Sequence, residues 1–334
     1  VCVPCRSADR LFVAWVKVGQ KLLAKTQGRR TMRFMMMVKS DAQAEAGLPD
    51  PAALAEMGKY NAALAEAGVM LSGEGLHASS KGCRVHFNSG TGKFRVVDGP
   101  FAEAKELVAG YWTVQTATLA DAVAWAKRVP FESGEVELRR LYEAEDFPAE
   151  PGIEPDAIAQ EDQRMRDAAA ANAKATAQPG NTRRYMLLVK GSTMTESGLP
   201  PDPATMAKMG TLMEGLMASG ALLGGEGLRP SKEGARVRYA GRERSVIDGP
   251  FTETKELIAG FITIRGTKAE AIELAKRWAE IHVAGAAGHK EPEAVIEVRL
   301  VAELEDFPVD ASETPDGWRA QEQRMRERQQ GGAR

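Results

Sequence analysis

The sequence predicts an α+β protein in which two copies of one domain stand in tandem and pack sheet to sheet within a single chain. Three observations lead there. A set of short motifs recurs, in the same order, in both halves of the chain. Each half alternates strand-like apolar runs with two helical segments. Each predicted sheet also carries an apolar face that its own helices leave bare, and a bare apolar face must be covered.

The repeat is direct. Arg33-Phe34-Met35-Met36-Met37-Val38-Lys39 matches Arg184-Tyr185-Met186-Leu187-Leu188-Val189-Lys190. Gly73-Glu74-Gly75-Leu76 matches Gly225-Glu226-Gly227-Leu228, and Val97-Asp98-Gly99-Pro100-Phe101 matches Ile247-Asp248-Gly249-Pro250-Phe251. Lys105-Glu106-Leu107 through Tyr111 matches Lys255-Glu256-Leu257 through Phe261, and Glu145-Asp146-Phe147-Pro148 matches Glu305-Asp306-Phe307-Pro308. A period of about 150 residues with two copies is a domain duplication; solenoids repeat every ~20–50. The expected division is 1–31, an N-terminal extension outside the fold; 32–148, copy one; 149–182, a helical linker; 183–308, copy two; and 309–334, a helical tail. Met32 is read as a natural start. The basic segment before it holds only the short apolar run Leu11 to Val16, too short for a secretory signal.

Each copy reads alike. Phe34 to Val38 is a continuous apolar run flanked by charge, a strand buried on both faces. A helix follows, with Pro51 and Pro203 in its first turn, where proline is tolerated. In copy two Met206, Met209, Met213 and Leu216 recur at helical spacing and form a core-facing stripe. Val69 to Leu71 begins a strand that ends in Gly-Glu-Gly-Leu. Arg84 to Phe87 and Phe94 to Val97 flank a turn-rich Asn88–Gly92 loop and form a hairpin. Leu107 to Gln115 is the next strand. Thr118 with Asp121, and Thr267 with Glu270, open a second helix as capping boxes. The last strands are Val136 to Tyr142 and Val295 to Val301.

The order is β-α-β-(β-β)-β-α-β, a ferredoxin-like pattern carrying an additional hairpin. Two ferredoxin-like domains covering each other's bare face form an intrachain pseudo-dimer, and the tether favours it by raising effective concentration to ~mM or more. The linker reads as an alanine-rich helix, Ile153 to Ala175, ending in a flexible Gln178–Asn181 stretch.

Bulk properties exclude several functions. The 44 basic and 46 acidic residues give a net charge of −2 and no basic stripe, which argues against direct nucleic-acid binding. No apolar run approaches the ~20 residues of a membrane span. Cys2 and Cys5 form a CxxC with no second ligand pair, so no metal or cofactor is expected, and a reducing cytoplasm is the default location.

Polar residues kept in both halves nominate the site. His77 faces Arg229 and His86 faces Arg238 in the repeat, and His282 and His289 fall at the insertion, so no histidine is shared. Glu74 and Glu226 lie between glycines that permit close backbone approach, for a ligand or a bend. Asp98 and Asp248 open Asp-Gly-Pro-Phe, as a turn residue or as a base. Lys105 and Lys255 lie within Glu-x-Lys-Glu clusters, which read either as solvated surface or as a lysine set against Asp98 or Glu74 at the sheet rim. Glu137 with Arg139, and Glu297 with Arg299, share a strand face as an ion pair or as a carboxylate-binding pair, the ion pair being favoured.

Together these motifs resemble the DGPF-domain proteins of the YCII-related group, over about residues 32–148 and 184–308. The resemblance implies a dimeric α+β barrel with a cleft between the sheets. It also implies genomic neighbourhood with extracytoplasmic-function sigma factors and a role near transcription initiation. Some relatives are proposed enzymes built on a His–Asp pair. The expected function is a small-molecule-binding or regulatory module that takes a polar metabolite in the cleft. The alternatives are a sigma-factor partner using Arg164, Arg166, Arg324 and Arg326, and a cofactor-free isomerase or hydrolase with Glu74 or Asp98 as its base.

Overall fold

A computed structural model describes residues 31–47, 49, 51–103, 106–147, 155–174, 182–199, 201–252, 257–283, 292–307 and 323. The N-terminal extension with Cys2 and Cys5, the Gln178–Asn181 stretch, Lys105, Lys255, His289, Arg324 and Arg326 lie outside the described residues.

Copy one supplies strands β1 (Met32–Lys39), β2 (Met70–Gly75), β3 (Cys83–Asn88), β4 (Lys93–Asp98), β5 (Val108–Thr116) and β6 (Ser133–Arg140). Its helices are α1 (Ala42–Ala46), α2 (Pro51–Glu66) and α3 (Leu119–Ala126). The linker forms α4 (Pro155–Lys174). Copy two supplies β7 (Arg183–Lys190), α5 (Thr193–Ser197), α6 (Pro203–Ala218), β8 (Leu222–Gly227), β9 (Ala235–Ala240), β10 (Glu243–Asp248), β11 (Ile258–Gly266), α7 (Lys268–His282) and β12 (Glu293–Leu300).

The strands form two antiparallel six-stranded sheets, ordered β10-β9-β6-β1-β5-β2 and β4-β3-β12-β7-β11-β8. Each half is thus a ferredoxin-like unit, and the two halves exchange their hairpins. β9 pairs with β6 of copy one, setting Val237 opposite Val136, and β3 pairs with β12 of copy two, setting Val85 opposite Ile296. The exchange follows from the alternation along the hairpin strands. Cys83, Val85 and Phe87 point inward and join the core beneath α7, while Val237 and Tyr239 join the core beneath α2 and α3. Tyr239 also donates from its hydroxyl to Ala126 O of α3 at 2.5 Å.

β1 is central in its sheet and buried on both faces. Phe34 and Met36 face the helices, while Met35 and Met37 enter a layer between the sheets with Tyr111, Met186, Leu188 and Phe261. Tyr111 and Phe261 meet there with ring centroids 5.5 Å apart. Thr267 with Glu270 forms the expected reciprocal capping box, whereas at Thr118 only half of it forms: Thr118 accepts the Asp121 N–H, and the Asp121 carboxylate accepts from the Thr118 hydroxyl at 2.7 Å rather than from its backbone. The stripe on α6 differs from expectation by one position. Met209, Met213 and Leu216 pack on the core, but Met206 is exposed, because Thr205 is the residue that turns inward in the first turn. α4 lies against β8, with Asn172 donating to Leu222 O. Among the described residues no helix is long and apolar enough to cross a membrane.

Candidate functional site

Glu74 and Glu226 lie on β2 and β8, edge strands of the two sheets, and each binds an arginine from the other copy. Arg184 donates to Glu74 Oε2 at 3.1 Å and to Glu303 at 2.7 Å. Its mirror image, Arg33, binds Glu226 and donates to Glu143 at 3.0 Å. Burial works against both guanidinium charges, but the carboxylates outweigh it and hold Arg33 and Arg184 above their ordinary range. Burial pushes the Glu226 carboxyl up, against the pull of Arg33.

Asp98 and Asp248 end β4 and β10, the opposite edges of the two sheets from Glu226 and Glu74. Asp98 is exposed and pairs with Lys268 at 2.9 Å. The rest of the Asp-Gly-Pro-Phe segment is a clamp. Phe101 N–H donates to Ser79 Oγ at 3.1 Å, and the Gly99–Pro100 bond is cis. A Cβ on Gly99 would fall 2.0 Å from Ser79 O, and one on Gly249 would fall 1.8 Å from Ser231 O, so only glycine fits. Glu45 accepts from Ser79 N and Oγ at 2.8 and 2.5 Å, and Glu196 does the same for Ser231. The Glu45–Ser79 and Glu196–Ser231 pairs were not singled out from sequence. The signal was available, because both residues recur at equivalent positions in the two copies.

Arg139 and Arg299 are fully buried ion-pair partners of Glu137 at 3.3 Å and Glu297 at 3.0 Å. Arg84 and Arg236, from the exchanged hairpins, complete these clusters, each contacting a buried glutamate at 2.9 Å and stacking on Phe101 or Phe251. Burial opposes the charges on Glu137 and Glu297, but Lys39 and Lys190 with the flanking arginines hold both below the usual carboxylate range. Burial lowers Lys190 to about 8, and its ammonium donates to Glu106 O at 2.7 Å. Arg299 also donates to His77 O at 2.6 Å, and Arg139 to Arg229 O at 2.9 Å. Both arginines therefore fix the loop that follows Gly-Glu-Gly-Leu.

That loop breaks the pseudo-symmetry. In copy one it carries His77, whose Nε2 donates to Asp306 Oδ2 of copy two at 2.8 Å. The pair lines a depression of about 230 Å³ with Glu45, Ser80 and Lys81. Burial raises the Asp306 carboxyl, but the Glu303 N–H, His77 and Arg183 outweigh it and hold it below its ordinary value. At the equivalent place in the other half, Arg229 is bound to Glu233 at 2.6 Å and lies over Tyr142. Arg140 donates to Asp146 at 2.8 and 3.0 Å. By the repeat, Arg140, Tyr142, Arg229 and Glu233 become Leu300, Ala302, His77 and Lys81. Around the His77 depression, three large side chains of the other half are thus replaced by smaller ones. A search restricted to residues shared by both halves misses His77 for this reason. Among the described residues no three His, Cys, Asp or Glu side chains are arranged to hold a metal ion.

Neither a curated protein nor a solved structure matches the chain significantly. A family model described as YCII-related domain matches it twice, over residues 32–145 and 184–299. Those two spans cover most of the sequence and coincide with the two halves of the fold, so the chain belongs to the YCII-related family as a tandem pair of its domains.

Proposed function

We propose that this protein is a small-molecule-binding or regulatory module, with one ligand site per chain in the depression beside His77 and Asp306. The observation that carries the reading is the contrast between the halves. The same loop carries the Arg229–Glu233 and Arg140–Asp146 pairs beside Tyr142 in one half and lines a depression around His77 in the other. A duplicated domain with a purely structural loop has no need of two such different endings. The layer between the sheets is filled by apolar side chains and closed at its rim by the Arg33–Glu226 and Arg184–Glu74 pairs, so the reading rests on the outer depression.

A thermal-shift screen of polar metabolites against the wild-type chain and His77→Ala tests it. A ligand at a hundred times its dissociation constant adds about 2.7 kcal/mol of stability. The expected result is a hit whose shift collapses in His77→Ala. A hit that raises both melting temperatures equally contradicts the site.

One observation favours a second reading, proton transfer at the same place. With Nε2 donating to Asp306, Nδ1 of His77 is left as the acceptor, the arrangement of an oriented general base. A bell-shaped or sigmoidal pH–rate profile lost in His77→Gln distinguishes catalysis from binding.

A further inference from the structure

We infer that the ligand of the depression beside His77 is a small anion, a carboxylate or a phosphate, held by Lys81; this rests on the binding reading above. The other half shows what the loop recognises. There the Glu233 carboxylate lies against residue 229, accepting from Arg229 Nε at 3.0 Å and Nη2 at 2.6 Å, with Arg140 at 3.4 Å. An internal carboxylate thus occupies the space beside the loop.

In the half that carries His77 that carboxylate is gone and its position carries the opposite charge. Glu233 corresponds to Lys81, an exposed residue that makes no ion pair within 4 Å among the described residues. The position of Arg229 holds His77, whose ring lines the depression together with Lys81. The acidic groups nearby are already engaged. Glu45 accepts from Ser40 Oγ at 3.0 Å on one oxygen and from Ser79 on the other. Asp306 Oδ2 accepts from His77 at 2.8 Å and from the Glu303 N–H at 2.8 Å, and also binds Arg183. Among the basic and hydroxyl groups that line the depression, the Lys81 ammonium and the Ser80 hydroxyl make no side-chain contact among the described residues. A ligand carboxylate or phosphate placed there restores the contact that Glu233 supplies internally in the other half. A cationic ligand placed there would instead face the Lys81 ammonium.

The test uses the full chain and follows the imidazole signals of its four histidines by NMR, His77 being assigned by its loss in His77→Gln. Sodium succinate, inorganic phosphate, ethylammonium chloride and methylguanidinium chloride are titrated at constant ionic strength. The expected result is a saturable shift of the His77 signal with succinate or phosphate, whichever is the better mimic identifying the headgroup. Lys81→Glu, an exposed change that leaves the fold intact, is expected to weaken that binding by about ten-fold or more, the loss of a charge-assisted hydrogen bond. Saturation by methylguanidinium or ethylammonium and not by the anions overturns the anion assignment while leaving the site in place. Anion binding undiminished in Lys81→Glu also overturns it. Silence of the His77 signal to all four probes counts against both the anion and the site.

Discussion

His77 Nε2 stands 2.8 Å from Asp306 Oδ2 although the two residues lie 229 positions apart. The contact exists because His77 N–H donates to Leu300 O at 3.0 Å, drawing the end of β2 against the end of β12 from the other copy. Asp306 is fixed in turn by the reciprocal cap it forms with Glu303.

This pairing gives Asp306 a pH signature. Its carboxyl is held below the ordinary value, so it contributes stability that is fully present above about pH 4 and is lost as pH falls through the lower folded value. Asp306→Asn is expected to cost about 1–2 kcal/mol at neutral pH by urea denaturation. The gap between wild type and variant should narrow in acid; a gap independent of pH contradicts the ionised pairing.

The Asp-Gly-Pro-Phe clamp sets a stricter requirement. Gly99→Ala or Gly249→Ala drives a methyl into a backbone carbonyl and is expected to cost about 3 kcal/mol or more. Gly210→Ala, within α6 and with no atom within 4 Å of the added carbon, is expected to stabilise by about 1 kcal/mol. Equal effects at Gly99 and Gly210 would show that the close approach does not constrain the motif.

Much of the fold is legible in the chain because its periodicities are local. The apolar run Phe34 to Val38, the Thr118 and Thr267 caps and the paired motifs each carry their own structural signal. Which sheet the β3–β4 hairpin joins is not local. Its alternation of Cys83, Val85 and Phe87 says that one face is buried but not beneath which helices. The Glu137–Arg139 and Glu297–Arg299 pairs follow from their spacing along one strand. The His77–Asp306 pair does not, since it depends on bringing the loop after β2 to the turn after β12, and on a residue that only one copy carries.

Because each core borrows a hairpin, neither copy is complete alone. The fragment 32–148 lacks Val237 and Tyr239 beneath α2 and α3, and β6 loses its partner β9. Expressed by itself it is expected to be a hairpin-exchanged homodimer or to remain unfolded. A stable folded monomer in analytical ultracentrifugation contradicts the exchange.

Lys190 predicts an alkaline effect in which stability again rises with pH, here because a buried ammonium is relieved of its charge. Burial lowers its folded value to about 8, against about 10.4 in the unfolded chain. The unfolded state holds the extra proton between those values, so stability rises with pH across that window and the penalty is full below it. Subtracting the profile of Lys190→Met isolates a gain of up to about 3 kcal/mol between pH 8 and 10. A flat difference means that Lys190 is not buried as charged.

The most direct test of the one-sided site is stoichiometry. Calorimetric titration of a bound metabolite is to be compared in three chains: wild type, a closed chain (His77→Arg, Lys81→Glu, Leu300→Arg, Ala302→Tyr) and an opened chain (Arg229→His, Glu233→Lys, Arg140→Leu, Tyr142→Ala). The expected result is one ligand per wild-type chain, none in the closed chain and two in the opened chain. One ligand per chain in the closed variant, with the fold intact by circular dichroism, would show that binding occurs elsewhere and contradict the account.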